Sequence, residues 1–84
     1  MIEDELRSIV ADVAEIEPDS IDPLLSLADA GIDSLMAMEI TVDIERRYDL
    51  HFADTELRQI VSFESLMRLT REKLAARDGA STAR

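Results

Sequence analysis

Cysteine is missing from these 84 residues, and so is tryptophan. Without a thiol the chain forms no disulfide, builds no thiolate metal site and has no cysteine nucleophile. Aromatic residues are limited to Tyr48, Phe52 and Phe63, so any core is mostly aliphatic. No apolar run approaches the roughly 20 residues that span a bilayer, and the acidic start Ile2-Glu3-Asp4-Glu5 is unlike a secretory signal. The cytoplasm is the expected location. Positive charge is scarce in the first part of the chain. Residues 1–33 hold ten acids and one base, Arg7, whereas residues 34–84 hold nine acids and eight bases, for a net charge of −10. A nucleic-acid binder needs the opposite sign, and an anionic membrane repels this surface. Acidity of this kind keeps a small protein soluble and steers it toward basic partners. Charge alone is compatible with either role.

Eighty-four residues make one small domain, and 46% hydrophobic content is enough for a modest core. Ile2, Leu6, Ile9, Val13 and Ile16 recur at steps of three and four, which lays one stripe on a helix. Glu3, Asp4 and Glu5 suit its positive end. Pro18 restricts the residue before it, which predicts a stop near Glu17. Residues 18–33 contain both prolines, one glycine and four aspartates before the next helix, together with Ile21, Leu24, Leu25 and Leu27. We expect a long ordered loop pinned to the core by those apolar side chains, with room for a short helical turn; ordered loops of this length often carry function. A second helix is expected over Ser34–Tyr48, and a short element over Asp54–Ile60 capped by Asp54 or Thr55. The last helix is expected over Phe63–Ala76. Its core stripe is Phe63, Leu66, Met67, Leu69 or Thr70, and Leu74, and its start signals come from Ser62 with Ser65 or Glu64. Residues 77–84 show no periodicity and read as a frayed, disordered tail. The fold class is thus all-α: a small bundle of three main helices plus a short one, in a single domain over residues 1–76, expected to be monomeric.

The second helix has two apolar faces. At about 100° per residue, Ala37, Ile40, Ile44 and Tyr48 cluster on one side and form the core stripe. Leu35, Met38 and Val42 fall on the opposite side, with Glu39, Asp43 and Met36 on the flank between. A helix against solvent needs one stripe only. Either a loop covers the second strip, or it meets partner proteins.

That strip begins beside Ser34, in the stretch Ala30-Gly31-Ile32-Asp33-Ser34-Leu35. Serine is a favoured helix cap, but Asp33 serves equally well, which leaves the Ser34 hydroxyl at the first helical position and open to solvent. A nucleophilic serine needs a base within hydrogen-bond reach. The single histidine, His51, lies past the far end of the same helix, roughly 20 Å or more away at 1.5 Å per residue, and is expected on a loop or the surface. Ser34 also lacks a G-x-S-x-G setting, and the aspartates do not follow calcium-loop spacing. No metal site is expected. The chain therefore reads as a non-enzyme, with Ser34 a substrate for another enzyme.

Gly31-Ile32-Asp33-Ser34-Leu35, between an acidic loop and an amphipathic helix, resembles the G-x-D-S-L attachment motif of acyl carrier proteins. Glu39 falls where those helices usually carry an acid, and Ile40, Ile44 and Tyr48 fall at their core positions. Asp49-Leu50-His51-Phe52 resembles the family's turn into the next segment, and Ser62-Phe63 followed by Leu66 the start of its final helix. The resemblance covers about residues 2–76. It implies 4′-phosphopantetheine on Ser34, donated from coenzyme A by a phosphopantetheinyl transferase. Its thiol carries acyl groups as thioesters between loading, condensing and tailoring enzymes, so the arm supplies the sulfur that this chain lacks. The resemblance further implies that Gly31 allows a tight approach and that Asp33, Leu35, Met38, Glu39 and Val42 contribute to partner recognition. Aliphatic helices packed without aromatic bulk also allow a slight parting that admits an acyl chain.

Three departures from the family pattern stand out. Ala30 replaces a larger apolar residue, Arg46-Arg47 close the second helix where fatty-acid carriers are acidic, and Ala53 replaces a frequent proline. With Met1 and the short ends, they suggest a discrete carrier of specialised, polyketide-like biosynthesis. A peptidyl or aminoacyl carrier shares the motif. An acidic helical docking module, with Ser34 a plain cap, is the alternative of a different class.

Overall fold

The computed structural model describes residues 2–82, with side-chain surroundings given as far as Arg77. Among the described residues the fold is helical: α1 (Ile2–Ala14), a 3₁₀ turn (Pro18–Ser20), α2 (Ser34–Tyr48), α3 (Asp54–Leu57) and α4 (Phe63–Thr82). The only β-type pairing among them is an isolated antiparallel bridge between Ser26 and Ser62. The expected all-α bundle of three main helices and one short helix is what the chain forms.

α1 presents Leu6, Ile9, Val10 and Ala11 to the interior. It ends at Ala14, earlier than the proline-based expectation of Glu17. Glu15 takes the left-handed conformation at φ 57, and the Ile16 amide donates back to the Ala11 carbonyl at 3.1 Å. This left-handed stop closes the helix before Pro18 can act on it. α2 matches its expected limits, with Ile40 and Ile44 buried and Ala37 and Tyr48 packed against the core. A second left-handed residue, Asp49 at φ 55, ends it, and the amides of Asp49 and Leu50 both donate to the Glu45 carbonyl.

α3 is one turn long and begins at Asp54, with Ala53 rather than Asp54 or Thr55 in the cap position. Alanine has no acceptor; the Glu56 carboxylate instead reaches back and accepts the Ala53 amide at 2.8 Å. At the start of α4, Ser62 and Ser65 cap reciprocally. The Ser62 hydroxyl accepts the Ser65 amide at 3.2 Å, and the Ser65 hydroxyl accepts the Ser62 amide at 3.0 Å. Phe63, Leu66, Leu69 and Thr70 are buried along this helix, and the Thr70 hydroxyl is satisfied by the Leu66 carbonyl at 2.8 Å. α4 continues past Ala76 to Thr82, through residues that lack a periodic signal. Arg77 donates to the Tyr48 and Asp49 carbonyls, which ties this stretch to the end of α2. Residues 83 and 84, the end of the expected tail, lie outside the described residues.

The loop before α2 is pinned as expected by Ile21 and Leu27, joined by Ile32, but not by Leu24 and Leu25. Leu27 and Ile32 are buried and Ile21 is packed against the core, whereas Leu24 and Leu25 are 82% and 40% exposed. Polar contacts supply the rest of the hold. The Arg7 guanidinium donates to the Pro18 and Ile21 carbonyls at 3.0 Å each and sits 5.2 Å from the centre of the Phe63 ring. The Glu64 amide donates to the Pro23 carbonyl at 2.9 Å, and the Leu27 amide to the Val61 carbonyl at 2.9 Å. Backbone bonds across the chain therefore fix a loop whose own side chains are only partly buried.

Candidate functional site

Just ahead of α2 the chain folds tightly. The Ala30 amide donates to the carbonyls of Ser26 and Leu27, and the Ile32 amide returns to the Leu27 carbonyl at 2.9 Å. Gly31 sits between them at φ +85, a conformation that L residues rarely adopt. A Cβ built there meets nothing within 4 Å. Within the chain its requirement is thus one of backbone angle. Ile32, 4% exposed, anchors the loop immediately before the site.

Asp33 is the helix cap. Its side chain accepts the Met36 amide at 2.8 Å, and its carbonyl accepts the Ala37 amide at 2.9 Å. Ser34 is therefore not the cap. It is the first helical residue, exposed to solvent, and its hydroxyl makes no hydrogen bond among the described residues. The amides of Ser34 and Leu35 belong to the first turn, where no intrahelical acceptor exists. A negatively charged group on the Ser34 oxygen would meet these donors and the positive end of the α2 dipole.

Two surfaces flank that hydroxyl. On one side lies a cleft of about 520 Å³, lined by Ser34 and Asp33, by Leu27, Ala28 and Ile32 from the loop, by Ala37, Met38 and Thr41 from α2, by Leu57 at the end of α3 and by Ile60 and Val61 just after it, with Ser26. On the other side runs the second strip of α2. Leu35 and Met38 are 65% and 62% exposed, Glu39 is exposed and Val42 partly buried. These four, with Asp43 and Arg46, line a shallow groove of about 300 Å³. No described loop covers the strip. Of the residues expected from the sequence, Asp33 and Ser34 thus lie on the cleft, Leu35, Glu39 and Val42 on the groove, and Met38 on both. Sequence reasoning missed the cleft wall from Leu57 to Val61 and the buried Thr41. The apolar pair Ile60-Val61, three residues beyond Leu57, was the available signal.

His51 lies beyond the opposite end of α2. It is exposed, and its Nδ1 is 3.4 Å from a Glu45 carboxylate oxygen, far along the helix from Ser34. Among the described residues no group of three or more histidines and carboxylates is placed to hold a metal ion, and no described helix is long and apolar enough to cross a membrane.

Comparison with known proteins gives the class. Residues 4–70 match the family described as a phosphopantetheine attachment site, and the chain belongs to that family of carrier domains, whose members bear a covalently attached 4′-phosphopantetheine. Among its relatives is the polyketide-8 synthase acyl carrier protein 2 of Streptomyces avermitilis, 38% identical over 72 residues that span 84% of this chain and 83% of that protein. The non-reducing polyketide synthase sor2 of Hypocrea jecorina is 36% identical over 73 residues, 87% of this chain. The corresponding synthase pigA of Monascus ruber is 35% identical over 78 residues, 93% of this chain. The chain spans about 3% of the length of each of these two synthases.

Proposed function

We propose that Ser34 is the attachment point, and that the chain is a non-catalytic carrier holding intermediates of polyketide-type biosynthesis as thioesters. The observation that carries this reading is the Ser34 hydroxyl itself: exposed, without a hydrogen bond among the described residues, at a helix N-terminus and on the lining of an apolar cleft. When bound, the prosthetic arm supplies a thiol for acyl transfer, which a chain without cysteine cannot provide.

The residues divide the work. Asp33 fixes the first turn of α2, so the Ser34 oxygen is presented at a defined angle instead of fraying with the helix end. The positive end of the α2 dipole would favour a phosphate on Ser34, an effect of about 0.3–1 kcal/mol for an exposed helix end. Asp33 opposes that charge, which suits a role in orienting the transferase. Leu35, Met38 and Val42 offer an apolar strip, rimmed by Glu39 and Asp43, to the transferase and to loading, condensing and tailoring enzymes. The polyketide-synthase relatives support polyketide chemistry over an aminoacyl cargo, and Arg46 and Arg47 at the end of α2 set this surface apart from a uniformly acidic one.

Incubation with coenzyme A and a broad-specificity phosphopantetheinyl transferase tests the assignment. Intact mass should rise by one phosphopantetheine, and Ser34→Ala should abolish the gain while leaving the helical spectrum unchanged. An unmodified protein beside an active transferase control would refute the attachment and leave an acidic docking module.

A further inference from the structure

Sulfur is scarce in this chain and unevenly exposed. With no cysteine, its only sulfur atoms are the thioethers of four methionines. Among the described residues, Met36 and Met67 are partly buried and packed against the core, whereas Met38 is 62% exposed. Met38 is also the one residue that lines both the apolar cleft and the shallow groove on α2. It follows Ser34 by four positions on the same helix, and side chains at that interval are neighbours, with Cβ atoms about 5–6 Å apart.

A thioether differs in chemistry from a leucine or valine that would fill the same space. Its sulfur lone pair attacks one oxygen of hydrogen peroxide and the O–O bond breaks. One oxygen stays on sulfur, and the other leaves as water with both peroxide hydrogens. Sulfur is oxidised by two electrons and the peroxide is reduced by two. The resulting sulfoxide is polar and chiral where the thioether was apolar. Its oxygen can only accept hydrogen bonds, and the ionised carboxylates of Glu39 and Asp43, which line the groove beside it, donate none. The apolar strip is thereby interrupted between Leu35 and Val42. The backbone beneath should stay in place, because Met38 lies outside the core and its carbonyl accepts the Thr41 hydroxyl at 2.8 Å.

We propose that Met38 is a redox-sensitive modification site. Hydrogen peroxide converts it to the sulfoxide before the core-packed methionines react, and the oxidised side chain weakens docking of partner proteins on the strip. A methionine sulfoxide reductase reverses the change, removing the oxygen as water while a dithiol is oxidised to a disulfide. The loss of docking rests on the carrier reading above; the selective oxidation does not. Exposure governs the first effect, since the reagent must reach the sulfur. Position governs the second: elsewhere on the surface the same oxidation would leave both the cleft and the groove unchanged.

Dilute hydrogen peroxide on the unmodified protein, followed by peptide mass mapping over time, reads the oxidation with no transferase or coenzyme A present. Met38 should gain one oxygen well before Met36 and Met67. At full conversion of Met38, retention on a phenyl column should fall for the wild type, whereas Met38→Leu treated alongside should keep its own retention. Docking is read with coenzyme A and the broad-specificity transferase. Peroxide should raise the KM for the wild type roughly three- to tenfold, the range for losing part of one buried methionine side chain. Methionine sulfoxide reductase with dithiothreitol should restore it, and the helical spectrum should stay the same throughout. Each variant is compared with itself before and after peroxide: Met38→Leu should keep its starting KM, and Met36→Leu should respond as the wild type does. Equal oxidation of the three methionines, unchanged column retention, or a KM unmoved by full conversion of Met38 would overturn the proposal. Failure of the active transferase to modify the unoxidised protein would instead refute attachment at Ser34, with the peptide map and the column still deciding the oxidation.

Discussion

Arg7 is the one base among the first 33 residues, and its removal is the most informative perturbation of the fold that presents Ser34. Its guanidinium makes two bonds to loop carbonyls, those of Pro18 and Ile21, stacks over Phe63 and pairs with Glu3 at 3.2 Å. Hydrogen bonds to a charged group contribute about 1.5–3 kcal/mol each, and a cation over an aromatic face about 0.5–1 kcal/mol at a partly exposed site. The ion pair with Glu3 is a helix-surface contact and adds a few tenths. Pro18 and Ile21 are only partly buried, so water takes over part of the bonding once the donor is gone. Arg7→Met, which retains a flexible apolar stem over Phe63, should therefore cost about 2–4 kcal/mol. That is a large share of the 5–15 kcal/mol typical of a domain. For a chain of this size it lowers Tm by roughly 10–25 °C, readable by circular dichroism. Exchange should accelerate first in the loop from Pro18 to Leu27. Arg7→Lys keeps the charge, but a single ammonium spans the two carbonyls less well than a planar fork, so it should lie between. A fall in Tm under about 3 °C for Arg7→Met would show that the loop is held by Leu27, Ile32 and the backbone bonds alone.

Three further outcomes follow from the same geometry. Asp33→Ala removes the cap on α2 and should cost about 1 kcal/mol, or roughly 4–8 °C in Tm, whereas Asp33→Asn should nearly match the wild type; equal loss in both would point to charge and not to capping. Leu35→Ser with Met38→Ser should leave Tm almost unchanged, because both side chains are exposed, and should raise the KM of the transferase for this protein; a collapse of the fold would place the strip in the core. Tyr48 has its hydroxyl pKa pushed up to about 12, first by burial and then by its bond to and the charge of Glu5. A folded pKa raised above the ordinary value of 10.0 gives stability that is complete below pH 10 and lost as the pH rises through 12. Tyr48→Phe should flatten that window in alkaline denaturation, and the absorbance of this single tyrosinate should titrate near 12; a midpoint near 10 would refute the Glu5 contact.

Periodicity and capping chemistry reached far into this chain. The spacing of Ile40 and Ile44 against Leu35, Met38 and Val42 defined both faces of α2, because a helix of fixed pitch turns sequence intervals directly into angles. The absence of cysteine, with Ser34 at the head of that helix, is visible in the sequence alone. Where tertiary contacts supply the bonding, the sequence was silent. That Arg7 reaches two carbonyls more than ten positions away, and that Leu24 and Leu25 stay in water while Ile32 is buried, depends on how the loop crosses the bundle. The choice of Asp33 over Ser34 as cap turned on one backbone angle and one bond to Met36, between residues of equal propensity. The cleft and its wall from Leu57 to Val61 arise only when segments far apart in the chain are brought together. Local pattern set the helices and the exposed hydroxyl; the docking of the loop and of the stretch from Leu57 to Val61 against them decided what lies beside it.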